Sequence, residues 1–319
     1  MPEKVAKIDF ISLKTAIEGK KWHTSCLGRR LTEVERIREI ITSSQNKYVS
    51  LVRGLANKKN RENEKKFRFD GVKLLCEAVK AGLELDFLLI CEREESAVLE
   101  KAERLYGVRE SDISCKAMTV SAAIFDKLSE EQAPEGVIAV AKYASSLHCE
   151  RAAESLKDTQ KAEKILLLES VRDPQNVGAI IRVAAAFGVD RIVISRDCAD
   201  IYSSKTVRAS MGTLFSIKID KVEDMPCAIK SLAESGRRIF AAALNREAQR
   251  LGEFSVLEGD CVVIGNEGHG LSIEAIEACG RTVFIPMSDR VESLNAATAA
   301  AVLVWEFFGS QGKGESRYE

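Results

Sequence analysis

From Ile165 to Phe308, short apolar runs and amphipathic stretches follow one another in strict turn, and that order narrows the possible folds more than any other feature of the chain. The runs Ile165–Glu169, Arg191–Ser195, Leu214–Ile219, Arg238–Ala243, Cys261–Gly265 and Thr282–Met287 have the length of buried strands. Between them Val177–Phe187, Ser204–Met211, Asp224–Glu234, Ser272–Cys279 and Ser293–Phe308 read as helices. Gly188, Gly236, Gly280 and Gly309 stand where such helices stop. Strict alternation predicts an α/β fold with a mainly parallel sheet covered on both faces. Ligands of such sheets bind beyond the carboxyl ends of the strands, so the loops at those ends are where chemistry is expected.

Upstream the alternation is shorter. Phe87–Cys91 and Gly136–Val140 read as strands, and Val72–Ala81 and Ser121–Leu128 as helices of a small α/β module. Polar, charged Ala144–Lys164 reads as a linker. A chain of 319 residues fits two domains. The expected division is an extension over 1–42, the module over 43–145, a linker over 146–163 and the larger domain over 164–319.

Between Lys47 and Arg68 stand Lys47, Arg53, Lys58, Lys59, Arg61, Lys65, Lys66 and Arg68 against only Glu62 and Glu64. Such a patch attracts a phosphate backbone, and it also reads as a solvated helix face. A net charge of −1 excludes a uniformly basic nucleic-acid coat. Nine cysteines are scattered with no C-x-x-C, so neither a zinc site nor any other metal is expected, and a reducing cytoplasm is. Met1–Phe10 has mixed charge and is not expected to act as a secretory leader. The uncharged run Ser293–Trp305 is too short to cross a bilayer, and no membrane partner is expected.

Three loops carry the informative residues. The first, Glu169–Arg182, turns at Asp173-Pro174 and enters a helix with Asn176 as its apparent N-cap. On that helix Val177, Ile180, Ile181 and Ala184 form an apolar stripe, while Arg182 points away from it beside the open space at Gly178. The second, Gly265-Asn266-Glu267-Gly268-His269-Gly270-Leu271, has glycines suited to close approach of a ligand. Gly265 and Gly270 have the spacing of a phosphate loop, but Leu271 stands where its lysine belongs, and Ile273 breaks the dinucleotide pattern. Glu267 would repel phosphates as well, so the loop suits a ligand without them, such as an adenosine carrying a sulfonium. In the third, Ile285–Asn295, Ser293 is a candidate N-cap, and Asn295 one turn into a helix is unfavourable by propensity.

Together the loops resemble the three signature motifs of the SpoU (TrmH-type) RNA 2′-O-ribose methyltransferases of the SPOUT superfamily. Asn176, Ala179 and Arg182 match N-x-x-A-x-x-R, and Gly265, Glu267 and Gly270 match G-x-E-x-x-G. Ile285-Pro286-Met287 and Ser293-Leu294-Asn295 match the two ends of the third motif, and Val207–Phe215 resembles a further family segment. Asp289 departs from the glycine usual at its place, and Ala296-Ala297 from Val-Ser. Phe67–Lys73 and Pro134–Val140 are similar to the substrate-binding domain of the branch that modifies ribosomal RNA, itself like a small αβα ribosomal protein.

The resemblance implies a trefoil knot near the C-terminal end of the larger domain and an RNA-binding role for the module. It implies S-adenosylmethionine bound by Gly265, Gly270, Ile285, Met287 and Leu294. It also implies a homodimer through the C-terminal domain, which would explain the alanines of the last helix. Asn176, Arg182, Glu267, Ser293 and Asn295 are the implied catalytic set. The family proposal makes Arg182 the activating residue, but a guanidinium does not give up its proton near neutral pH. Arg182 is better suited to clamp a phosphate and stabilise charge growing on the 2′-oxygen. The expected reaction is methylation of a ribose 2′-hydroxyl in ribosomal RNA. Transfer RNA as the substrate, or a non-catalytic RNA-binding assembly factor, are the alternatives.

Overall fold

The computed structural model describes residues 40–113, 115–160, 162–291 and 293–309. Most of the extension expected over 1–42, including Met1–Phe10, lies outside the described residues.

The module begins with helices α1 (Lys47–Gly54) and α2 (Lys58–Glu64), capped by Asn46 and Asn57. Its sheet holds β1 (Lys66–Asp70), β2 (Leu85–Cys91), β3 (Lys116–Val120) and β4 (Val137–Lys142) in the order β1-β4-β2-β3, with only β2 and β3 parallel. Successive side chains of a strand face opposite ways, and here both faces are apolar. Phe87, Leu89, Ile138 and Val140 meet Val49 and Val52 of α1 and Phe125 of α5 (Ala122–Leu128). Leu88, Ile90, Val137 and Ala139 meet α3 (Val72–Lys80) and α4 (Glu95–Tyr106). The result is helix, sheet, helix, as the resemblance implies.

The second sheet has eight strands, all paired in parallel, in the order β10-β12-β9-β11-β6-β7-β8-β5. They are β5 (His148–Glu150), β6 (Ile165–Leu168), β7 (Arg191–Ser195), β8 (Lys218–Val222), β9 (Ile239–Ala242), β10 (Gln249–Arg250), β11 (Cys261–Ile264) and β12 (Thr282–Phe284). On one face lie α6 (Pro174–Ala186), α7 (Ser204–Ser210) and α10 (Ala296–Val304). On the other lie α8 (Met225–Glu234) and α9 (Ile273–Cys279). The core under α6 continues into the module beneath α3.

Three expectations change. The strand read at Leu214–Ile219 begins at Lys218, because Met211 and Gly212 both take positive φ and throw Leu214 and Phe215 into a 3-10 turn. There Phe215 packs on Phe69, with ring centroids 5.2 Å apart, instead of pairing in the sheet. The stretch read as linker supplies the edge strand β5. His148 is held by the Tyr202 hydroxyl at 2.7 Å and the Leu214 carbonyl at 2.9 Å. Burial pushes its imidazole down to about 4, outweighing its hydrogen bonds to the backbone of Leu214 and Ile217. Finally, the basic stretch is less open than its sequence suggests. Arg61 and Arg68 are buried, Arg61 against Asp200 at 2.5 Å and the carbonyls of Leu55 and Ala56, and Arg68 against Glu130 at 2.8 Å. Lys66 pairs with Asp86.

Candidate active site

The three loops meet at the carboxyl edge of the parallel sheet, where β6, β9, β11 and β12 end. Asn176 is not the cap of α6. The helix starts earlier, at Pro174, whose missing N–H costs nothing in a first turn, and Asp173 caps it by accepting from the Gln175 amide at 3.0 Å. Asn176 therefore sits inside the first turn, 8% exposed. Its Nδ2 donates to Glu267, and its Oδ1 accepts from Asn295 Nδ2 at 3.0 Å. Asn295, expected inside the last helix, is instead its N-cap, accepting from Ala297 N at 2.9 Å and Thr298 N at 3.3 Å. Ser293, the other candidate cap, stands two residues earlier, exposed. One residue from each motif thus joins a single hydrogen-bonded cluster.

The glycines of the second loop serve the loop itself. A Cβ on Gly265 would lie 2.5 Å from the Gly270 carbonyl, because Asn266 and Gly270 exchange backbone hydrogen bonds across the turn. Asn266 Oδ1 accepts from Gly268 N at 2.8 Å, and its Nδ2 donates to the Ser170 carbonyl at 2.9 Å. The far end of the loop is held by Glu169, buried at 7%, which accepts from both the amide and the hydroxyl of Ser272 at 2.8 Å. Both ends of the loop are therefore tied to consecutive residues after β6. Glu169 was not singled out from the sequence, although a lone carboxylate closing an apolar strand was the available signal. Ser170 takes φ 57° and donates to Asp197 at 2.6 Å. Burial raises the Asp197 carboxyl, but hydrogen bonds from Ser170, Ser195 and Arg172 outweigh it and hold the group below its ordinary range.

Beside the cluster lies a cavity of about 640 Å³. Its walls include Gly265, Glu267, Gly270, Ile285, Met287, Ser293 and Leu294, all expected there, together with Leu244, His269, Asp289 and Leu303. No lysine or arginine lines it among the described residues. Apolar walls, carboxylates and two backbone-rich loops suit a cationic nucleoside and disfavour a phosphate.

Arg182 stands apart from this cavity. It is exposed on α6 and makes no hydrogen bond or ion pair with a described residue. The space at Gly178 is not open to it, since a Cβ there would lie 2.5 Å from the Thr206 carbonyl and 2.6 Å from Ala209 Cβ of α7. Ala300 of α10 is buried, with the helix packed against α6. Val302 and Trp305 beyond it are 37% and 50% exposed.

Residues 163–305 match the SpoU rRNA Methylase family, and residues 46–139 match the MRM3-like substrate binding domain. A Bacillus subtilis (strain 168) protein named 23S rRNA (guanosine(2553)-2'-O)-methyltransferase RlmP is 30% identical over 270 residues, which cover 84% of this chain and 99% of that one. The crystal structure of an AdoMet-bound rRNA methyltransferase from Sinorhizobium meliloti is 26% identical with a TM-score of 0.68, covering 84% of this chain and 96% of that one. That of an RNA 2'-O ribose methyltransferase is 25% identical with a TM-score of 0.69, over 85% and 98%. The chain belongs to the SpoU family and is an RNA methyltransferase.

Proposed function

We propose that this chain methylates a ribose 2′-hydroxyl of ribosomal RNA with S-adenosylmethionine as donor. The observation that carries the reading is the cluster of Asn176, Glu267 and Asn295 at the lip of a cavity walled by carboxylates and no described cation. The named activity of the Bacillus subtilis relative and the AdoMet-bound neighbour support it.

When bound, the donor supplies an electrophilic methyl group on a sulfonium. The protein's own work is placement. Gly265, Gly270, Ile285, Met287 and Leu294 would hold the nucleoside, and Glu267 and Asp289 would face its positive charge. Holding the 2′-oxygen in line with the methyl carbon supplies most of the acceleration. Arg182, charged and exposed, clamps a neighbouring phosphate and stabilises negative charge growing on that oxygen. Ser293 at the cavity wall contacts the ribose or the donor. The module, 43–145, would grip the RNA, and the C-terminal domain would pair two chains through the exposed strip of Val302 and Trp305. The family's trefoil knot in 164–319 and a cytoplasmic location belong to the same reading, and the described cysteines are all free thiols.

Mass spectrometry of ribosomal RNA from cells with and without the gene tests it. A 2′-O-methyl nucleotide present only with the gene is the expected result, and unchanged ribosomal RNA methylation would refute the assignment.

A further inference from the structure

The ribose hydroxyl must lose a proton during methyl transfer, and Arg182 is unsuited to take it. Resting on the ribose-methylation reading above, the geometry points to Glu267 as the proton acceptor, held in its role by a relay of side-chain amides that starts at the N-terminus of α10.

The direction of that relay is forced. Backbone N–H groups can only donate, so the oxygen of Asn295 must be the atom that faces Ala297 N and Thr298 N. Its Nδ2 is then the group left to face Asn176, and it donates to Asn176 Oδ1 at 3.0 Å. With that oxygen used, Asn176 presents its own Nδ2 to Glu267 Oε1. An amide orientation is ordinarily an assignment from the network, but here each choice follows from a helix terminus that has no alternative. The relay therefore ends in a donor, which fixes one carboxylate oxygen of Glu267 in place. The second oxygen of Glu267 is in no ion pair or hydrogen bond with a described residue, and Glu267 lines the cavity.

His269 and Asp289 share the cavity wall and are the other titratable groups facing it among the described residues. Neither side chain is tied to the three-motif cluster. Asn176 from α6 faces Glu267 directly, and Asn295 at the start of α10 faces Asn176.

The step balances. The hydroxyl O–H bond breaks and the proton passes to the free oxygen of Glu267. The O–H electron pair is left for the new bond from oxygen to the methyl carbon, while the carbon–sulfur pair stays on sulfur. A carboxylate charge and a sulfonium charge vanish together, so the cavity never holds an added charge. Glu267 is thus a catalytic residue, while Asn176 and Asn295 are positioning residues.

Two variants test this. Glu267→Gln keeps an oxygen for the Asn176 donor but cannot take a proton. We expect turnover to fall at least about a hundredfold, with a melting temperature near wild type. The loss of the donor's calorimetric affinity should be much smaller, because Asp289 of the cavity wall still faces the sulfonium. Turnover close to wild type would overturn the inference, and so would a loss of donor affinity as large as the loss of turnover. Asn295→Asp still caps α10, since both residues are strong caps, but cannot donate to Asn176. Retained stability with depressed turnover supports the relay; unchanged turnover refutes it. If the wild-type chain yields no 2′-O-methyl product, the functional reading itself fails, whatever the variants do.

Discussion

The two edges of the eight-stranded sheet use polar side chains in opposite ways. At the amino-terminal side the charges are closed on one another. Arg191 pairs with Asp220 and, at 2.9 Å, with Glu163; Arg151 reaches Asp220 at 2.9 Å; and Arg238 pairs with Asp260. Asp220 and Asp260 are 1% and 3% exposed. At the carboxyl side the polar groups are tied together but keep spare capacity: Glu267 has an oxygen to offer, and Ser293 is exposed. One edge holds the fold and the other is left able to meet a ligand. A parallel sheet allows this division because all its strand starts lie on one side and all its strand ends on the other.

Substitutions at the two edges should therefore break different properties. The largest effect is expected for Arg182→Ala, which should cost about a thousandfold or more in methyl transfer while donor binding by calorimetry stays near wild type. Turnover near wild type would remove Arg182 from the reaction. Asp220→Ala, at the closed edge, should cost about 3–5 kcal/mol in urea unfolding, because it leaves Arg191 and Arg151 facing a lost partner. A cost below about 1 kcal/mol, the value of an exposed pair, would mean that the edge contributes little to the fold.

The His148 ring sharpens the contrast, since it is buried and neutral. The unfolded chain takes the proton near pH 6.5, and the folded chain resists it to about 4. Stability is full above that window and falls as pH drops through it, by about 3 kcal/mol. The stability gap between wild type and His148→Gln should shrink by that amount from pH 7 to pH 4, and a constant gap would contradict the buried neutral ring. The smallest effect is expected for Gly265→Ala, whose Cβ would press on the Gly270 carbonyl at 2.5 Å. The shifted loop should weaken donor binding about tenfold, equivalent to about 1.4 kcal/mol, and lower the melting temperature as well, because the atoms the Cβ meets are backbone.

Much of this was legible from the alternation alone. The strands at Ile165, Arg191, Cys261 and Thr282 start where the apolar runs do. Leu214 and Phe215 misled because an apolar pattern reports burial, not which surface buries it; they pack toward the module. The linker reading failed at His148 because its partners, Tyr202 and Leu214, are distant in sequence. The motifs named the cluster residues, but not how they connect. Ser293 and Asn295 can both cap a helix, and only the path of the third loop decides between them. Likewise Gly265 answers to the loop's own backbone, a contact that sequence spacing does not distinguish from one with a ligand.

The aromatic seam between module and larger sheet has a further bearing. Phe67 lies 4.7 Å from Tyr202, Tyr143 stacks on Tyr202 at 3.9 Å, and Phe69 meets Phe215. With the Arg61–Asp200 pair beside it, the seam makes the two parts one cooperative body rather than beads on a string. The module is thus a poor candidate for free exchange. A graft onto another methyltransferase would have to carry Tyr202 and the Leu214–Phe215 turn with it, or expose the aromatic face that the two parts now hide from water.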